Sequence, residues 1–144
     1  MSKVTPKTKG LKKCKKKAVK KKKKKQKISL KRYQEFVVSL ASKDSTRTAE
    51  RRLGTSGLGL AGEAGEFADI VKKILYHGMD LNEEVHDRMV KELGDVMWYV
   101  AFAANTLQVD LQEIIDKNVE KLSARYPGGK FSHKDFMRKE KAKK

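Results

Sequence analysis

The chain is poor in the residues that staple, break or anchor a fold: among its 144 residues there are one cysteine, two prolines and one tryptophan. The single thiol, Cys14, excludes an intramolecular disulfide and leaves a cysteine-based metal site without a partner. Lysines on both sides favour its thiolate, so pairing between molecules is the chemistry expected of it. No apolar run approaches the roughly 18 residues of a membrane span, and the lysine-rich start is not followed by the apolar core of a secretory signal. No membrane partner is expected, and the protein reads as soluble and cytoplasmic. Strand-like alternation and internal repeats are missing too, which leaves helices.

Acidic residues are absent from the first 32 positions, which hold 17 lysines and arginines; beyond them 18 basic residues face 18 acidic ones. The formal charge of +17 is therefore the charge of a tail attached to a neutral body. Residues 1–28 are expected to be a disordered polylysine tail, because so little apolar surface cannot offset the entropy of ordering it. Its functional readings are a solubilising or accidental extension, nucleic-acid contact through counterion release, a nuclear-import signal, or contact with an anionic membrane. No aromatic is interleaved with the lysines, so base stacking is not suggested. The body, 38% of the chain being hydrophobic, can build one modest core and hence one domain.

What is present is helical periodicity. Leu30, Tyr33, Phe36, Val37 and Leu40 recur at helical spacing after a capping Ser29. The stretch "STRTAERRLGTSG", broken by Gly54 and Gly57, reads as a loop or a short irregular helix. A second helix is predicted from about Leu58 to His77, stopped by a left-handed Gly78. A third starts after Asn82, with Glu83 and Glu84 in its first turn, and runs to about Leu107. A fourth opens at Asp110 and ends before Pro127. The last residues, from Ser132, predict one or two ragged turns and then a charged tail over 134–144. The expectation is an all-α domain over 29–133, an antiparallel bundle of four principal helices.

Two of these helices place acid where apolar residues belong. With 100° per residue and Glu63 at zero, Leu60, Phe67, Ile70 and Ile74 fall within about 60° of it, and Glu66 lies about 60° to the other side with Lys73 and His77. On the third helix Glu92 sits among Val85, Met89, Val96, Tyr99, Ala103 and Leu107, with Asp95 about 60° away. On the fourth, Asn118 falls among Leu111, Ile115 and Leu122, with Lys121 and Arg125 at the margin. Four acids, one amide and two cations are thus aimed at a common interior.

A carboxylate taken out of water needs a proton or a cation, and two cations do not balance four close acids. Hard oxygen donors in this number suit Mg²⁺ or Mn²⁺, and acids three apart on a helix let one ion touch both. An isolated E-x-x-E is ordinarily a solvated face. Two such pairs, each centred on an apolar stripe and separated by one helix–turn–helix, point instead to a divalent metal site.

"GEAGE" followed by "KELGD" resembles the E-x-x-E, spacer, E-x-x-D signature of the all-α nucleoside triphosphate pyrophosphohydrolases of the MazG-like superfamily. "YQEFV", "GLGLAGEAGEFADIVKK", "KELGDVMWYVAFAANTL" and "NVEKLSARYPGGKF" are similar to successive blocks of single-domain bacterial and phage members, over about residues 29–133. The resemblance implies Mg²⁺-dependent cleavage of a nucleoside triphosphate to the monophosphate and pyrophosphate, for pool control or sanitation. It implies Glu63, Glu66, Glu92 and Asp95 as catalytic metal ligands, one of them taking a proton from water. Lys121 and Arg125 with Asn118 are then candidates for the phosphate chain. Lys73 either joins them or pairs with Glu66, and Tyr99 is a candidate wall of the nucleoside pocket. A homodimer or dimer of dimers is expected, the pocket built partly from a second subunit. Gln34 is a weaker candidate for that pocket, and Trp98, which the wheel directs away from the acids, is assigned to packing or a subunit contact.

Rival readings fail on context. "GLGLAG" matches a dinucleotide fingerprint in letters, but no strand precedes it, and its small residues suit close helix approach instead. His86–Asp87 lacks the further histidines of another metal phosphohydrolase class. A di-iron bundle needs paired Glu-x-x-His units, of which only Glu83–His86 has the spacing. The alternative of another class is a nucleic-acid-binding protein that acts through the tail, with the helices as dimerisation core.

Overall fold

The computed structural model describes residues 27–141, so the expectations for the polylysine tail and Cys14 lie outside the described residues. Five helices follow one another: α1 (Leu30–Leu40), α2 (Ala49–Tyr76), α3 (Glu83–Thr106), α4 (Leu111–Arg125) and α5 (His133–Lys141). No strand occurs among the described residues, and none of their helices is long and apolar enough to cross a membrane.

The starts of these helices are set by local chemistry. Ser29 Oγ accepts from Arg32 N at 3.3 Å, and Asn82 Oδ1 accepts from Val85 N at 2.9 Å, each satisfying an N–H that has no intrahelical partner. After α2, Gly78 adopts φ +71°, the left-handed conformation that releases the chain. The start of α2 corrects the sequence reading. It begins at Ala49, where Thr48 Oγ1 accepts from Arg51 N at 3.2 Å, and runs through Gly54 and Gly57 without a break. Each interior glycine costs about 1 kcal/mol of helix propensity. Packing against α3 outweighs that cost: Ser56 is buried, donates to Arg52 O at 2.7 Å and lies 3.4 Å from Thr106 Oγ1.

α2 and α3 run antiparallel, Ser56 lying against Thr106, Gly59 against Tyr99 and Glu66 beside Glu92. The core lies at one end, where Val37 of α1, Ala101, Phe102 and Ala104 of α3 and Leu111 of α4 meet. Partly buried Tyr33, Trp98, Val109 and Ile114 close around them. Asp110 occupies the N-cap of α4 without a side-chain hydrogen bond there. Gln34 supplies it instead: its Oε1 accepts from Leu111 N at 3.0 Å and its Nε2 donates to Val109 O at 2.8 Å. Its amide is therefore a clamp from α1 to the α3–α4 turn.

The picture of a four-helix bundle needs a second correction. α4 packs on α1, α3 and α5 and makes no contact with α2. Its apolar stripe, Ile115, Val119 and Leu122, is left exposed, as are Val90, Leu93 and Met97 along α3. Of the stripe that the wheel places inside a bundle, only Leu111 enters the core; Ile115 and Leu122 lie outside in one chain, because the α3–α4 turn directs α4 towards α1. Where one or two ragged turns were expected after Ser132, α5 forms a fifth helix of nine residues.

Candidate functional site

Glu63 and Glu66 stand on α2, and Glu92 and Asp95 on α3, with the antiparallel register bringing the two pairs together. Glu63, Glu92 and Asp95 each offer a carboxylate oxygen within 4.8 Å of the others. Glu66 stands outside this triad and lines, with Glu92, a cleft of about 370 Å³. A smaller cleft of about 240 Å³ is bounded by Glu63, Asp95, Trp98 and Tyr99.

The acids do not lie in a dry interior. Glu63 and Glu92 are half-buried, whereas Glu66 and Asp95 are exposed, so in a single chain the triad opens to solvent. Crowding is nevertheless felt. Glu63 is held above the ordinary glutamate range, first by partial loss of water and then by repulsion from Glu66, Asp95 and Glu92. Tyr33 of α1 is raised as well, by burial and then by the charge of Asp95, which puts α1 at the edge of the site.

Three convergent carboxylates fit a small divalent cation. An octahedral Mg²⁺ with bonds of about 2.1 Å holds neighbouring oxygens about 3 Å apart and opposite ones about 4 Å apart, and the donors, within 4.8 Å of one another, lie close to that scale. All-oxygen donors favour a hard, redox-inert ion over iron or copper.

The remaining candidates divide. Lys73 lines the larger cleft, yet it and Lys72 form ion pairs with Asp69 rather than with Glu66. Hydrogen bonds from Lys72 and Lys73 bring the Asp69 carboxyl down to about 2. Tyr99 lines the smaller cleft. Asn118, Lys121 and Arg125 line neither cleft; Asn118 and Lys121 are exposed, and the Arg125 guanidinium lies 5.9 Å from the Tyr126 ring centroid. One chain does not bring the α4 set to the acids, and Gln34 is engaged by the α3–α4 turn.

Three residues at the site escaped the sequence reading. Arg88 lines the larger cleft beside Glu66 and Glu92 and belongs to none of the ion pairs of the described residues. Its signal was available, since it lies one turn before Glu92 on the same face. Asp69, one turn after Glu66, occupies the lysines. Trp98 has the packing role assigned to it, stacking on Phe102 at 5.4 Å, but it does not turn away from the acids: it bounds the smaller cleft with Glu63 and Asp95. A wheel centred on Glu92 turns it away, but it lies one turn after Asp95, and the site is centred nearer Asp95.

Comparison with known proteins identifies the family. The family model described as the MazG nucleotide pyrophosphohydrolase domain matches residues 53–129, a span that contains both acid pairs and α4. A curated relative, the Gene 37 protein of Mycobacterium phage L5, is 49% identical over 74 residues, which are 50% of this chain and 64% of that protein. The chain therefore spans somewhat less than two thirds of that relative's length. No solved structure matches.

Proposed function

The chain belongs to the MazG nucleotide pyrophosphohydrolase family, and from that premise we propose that it hydrolyses deoxynucleoside triphosphates, standard or modified, to the monophosphate and pyrophosphate in a Mg²⁺-dependent reaction. The observation that carries this reading is the convergence of Glu63, Glu92 and Asp95 from two helices to within 4.8 Å. Glu66, at the rim of the adjoining cleft, completes the acid set. A divalent ion held there supplies positive charge to the phosphates and to the attacking water.

The chain's own groups supply the rest. Water attacks the α-phosphorus, one of the four carboxylates accepts its proton, and the bond from that phosphorus to the α–β bridging oxygen breaks. The electron pair leaves on pyrophosphate. Arg88 and Lys73 flank the larger cleft and offer a planar fork and a point charge for phosphate oxygens. Tyr99 and Trp98 wall the smaller cleft, which is assigned to the nucleoside.

A second copy of the chain completes the site in this reading. Asn118, Lys121 and Arg125 are the phosphate-binding set of α4, and they reach the acids of a partner in a homodimer or dimer of dimers. The exposed apolar stripes support this: Val119 is 55% exposed and Val90 52%, and unpartnered stripes along two helices are the surfaces an obligate assembly buries.

The test is product identity. Incubation with a panel of deoxynucleoside triphosphates and Mg²⁺, followed by phosphorus NMR, yields monophosphate and pyrophosphate, and label from ¹⁸O-water enters the monophosphate. Diphosphate with orthophosphate, or no turnover of any nucleotide, overturns the assignment.

A further inference from the structure

α2 carries five glycines within its helical span, at 54, 57, 59, 62 and 65. At four of them a β-carbon meets nothing within 4 Å. Gly59 differs. A β-carbon there falls inside the van der Waals envelope of the Tyr99 ring, at Cε1, Cζ and Cδ1. The ring therefore lies directly against the α2 backbone, a position open only because residue 59 has no side chain.

The same ring bounds the cleft that holds Glu63, Asp95 and Trp98. Gly59 lies one turn before Glu63 on α2, and Tyr99 one turn after Asp95 on α3, so the contact is the next rung of the helix pair below the acids. Trp98 presents its ring edge-on to Tyr99, with centroids 4.9 Å apart, and is itself stacked on the fully buried Phe102. Tyr99 is thus held between a backbone floor and an aromatic wall anchored in the core. A methyl group added to the floor must move the ring or spread α2 from α3.

We propose that Gly59 is a positioning residue that sets the width of the nucleoside-binding cleft through Tyr99. With glycine at 59 the ring lies back against α2 and leaves the space beside Glu63 and Asp95 to the nucleoside half of the substrate. Any larger residue drives the ring away from α2 and narrows that space, while the carboxylates keep their own rotamers and their affinity for a divalent ion. The identity of the ligand rests on the hydrolase reading above; the seating of Tyr99 on Gly59 is a property of the fold.

The chain contains one tryptophan, and it touches the ring in question, so Trp98 emission reports both ring displacement and ligand entry. Wild type, Gly59→Ala, Tyr99→Ala and the double variant are compared with full-length protein. The readouts are Trp98 emission, Mn²⁺ affinity without nucleotide, affinity for a non-hydrolysable α,β-methylene deoxynucleoside triphosphate, and kcat and KM. Gly59→Ala is expected to shift Trp98 emission and weaken nucleotide binding about tenfold, the scale of one misplaced methyl group in a pocket. KM rises more than kcat falls, and Mn²⁺ affinity stays as in wild type. The double variant binds nucleotide no worse than Tyr99→Ala alone, because the clash has lost its partner.

A purely structural role would lower stability with unchanged KM, and that result overturns the proposal, as does additivity in the double variant. Should Gly59→Ala fail to fold, Tyr99→Ala and the double variant decide: nucleotide affinity equal to wild type in Tyr99→Ala overturns it. Wild-type protein that releases no pyrophosphate overturns the hydrolase reading and the ligand assignment with it. Wild-type turnover beside an unaffected Gly59→Ala overturns the Gly59 proposal alone.

Discussion

Replacing Glu63 by glutamine should make the metal-free protein more stable while removing its activity. The side chain is half-exposed, so water's dielectric constant of about 80 applies to its repulsions. At the outer separation of 4.8 Å within the triad, two like charges repel by about 0.9 kcal/mol, which physiological salt reduces to roughly 0.5. Glu92 and Asp95 together make the ionised Glu63 unfavourable by about 1 kcal/mol, and the charge of Glu66 and the partial loss of water add to this in the same direction. Glutamine has the same shape and nearly the same helix propensity, so the substitution removes the repulsion and the cost of a partly desolvated charge while leaving the packing as it was. The expected rise in Tm without metal at neutral pH is about 4 °C. Added Mg²⁺ or Mn²⁺ reverses the order, stabilising the wild type more than the variant. Turnover falls about 100-fold or more, since even the outer partners of metal ligands are worth 10- to 100-fold.

The pH dependence has a definite sign. Because the folded-state pKa of Glu63 is raised, its contribution to stability is fully present below the unfolded value and is lost as pH rises through the raised one. The advantage of Glu63→Gln over wild type should therefore vanish below the ordinary glutamate range, grow through that window and stay flat above it. Calorimetry across pH with chelator present measures this. A variant less stable than wild type at neutral pH, or one that keeps wild-type turnover, refutes the convergence of the three acids.

Other outcomes test the frame around the site. Phe102 is fully buried at the α1–α3–α4 junction, so Phe102→Ala should cost about 3–5 kcal/mol in denaturant titration and leave little folded protein. Gln34→Ala removes both hydrogen bonds to the α3–α4 turn and should lower stability by about 2 kcal/mol, with kcat per folded molecule unchanged; a selective loss of kcat would return Gln34 to the site. Leu93 is 48% exposed on the α3 stripe, so Leu93→Glu should give monomers in sedimentation velocity and lose turnover, whereas an unchanged assembly would remove that stripe from the interface. In NMR titration the Asp69 carboxyl should ionise at about 2, and replacing Lys72 and Lys73 together by alanine should return it towards the ordinary aspartate range.

Much of the helical order was legible because its causes are local. Ser29 and Asn82 cap the helices they were expected to cap, and Gly78 takes its left-handed conformation, since each effect spans only a few residues. The start of α2 was not legible. Gly54 and Gly57 read as breakers, and only contact with a helix some fifty residues away, as at Ser56 and Thr106, makes them tolerable. Asp110 does open α4 at its N-cap, as its position predicts, but the hydrogen bond to Leu111 N comes from Gln34, 77 positions earlier, which no local pattern announces.

For the site, the pattern of residues determined that two carboxylate pairs each occupy the apolar side of a helix and that a short turn joins those helices. Periodicity is a property of one helix and needs no neighbour. Which carboxylates meet was a tertiary decision: the antiparallel register, with Tyr99 seated on Gly59, groups Glu63 with Glu92 and Asp95 and leaves Glu66 at the next cleft. The placement of Arg88 and Trp98 at the acids, and of Asn118, Lys121 and Arg125 away from them, was decided there too. A wheel gives the angle of a side chain about its own axis, whereas the partner it faces depends on how the axes pack and turn, and that is fixed only by contacts between helices.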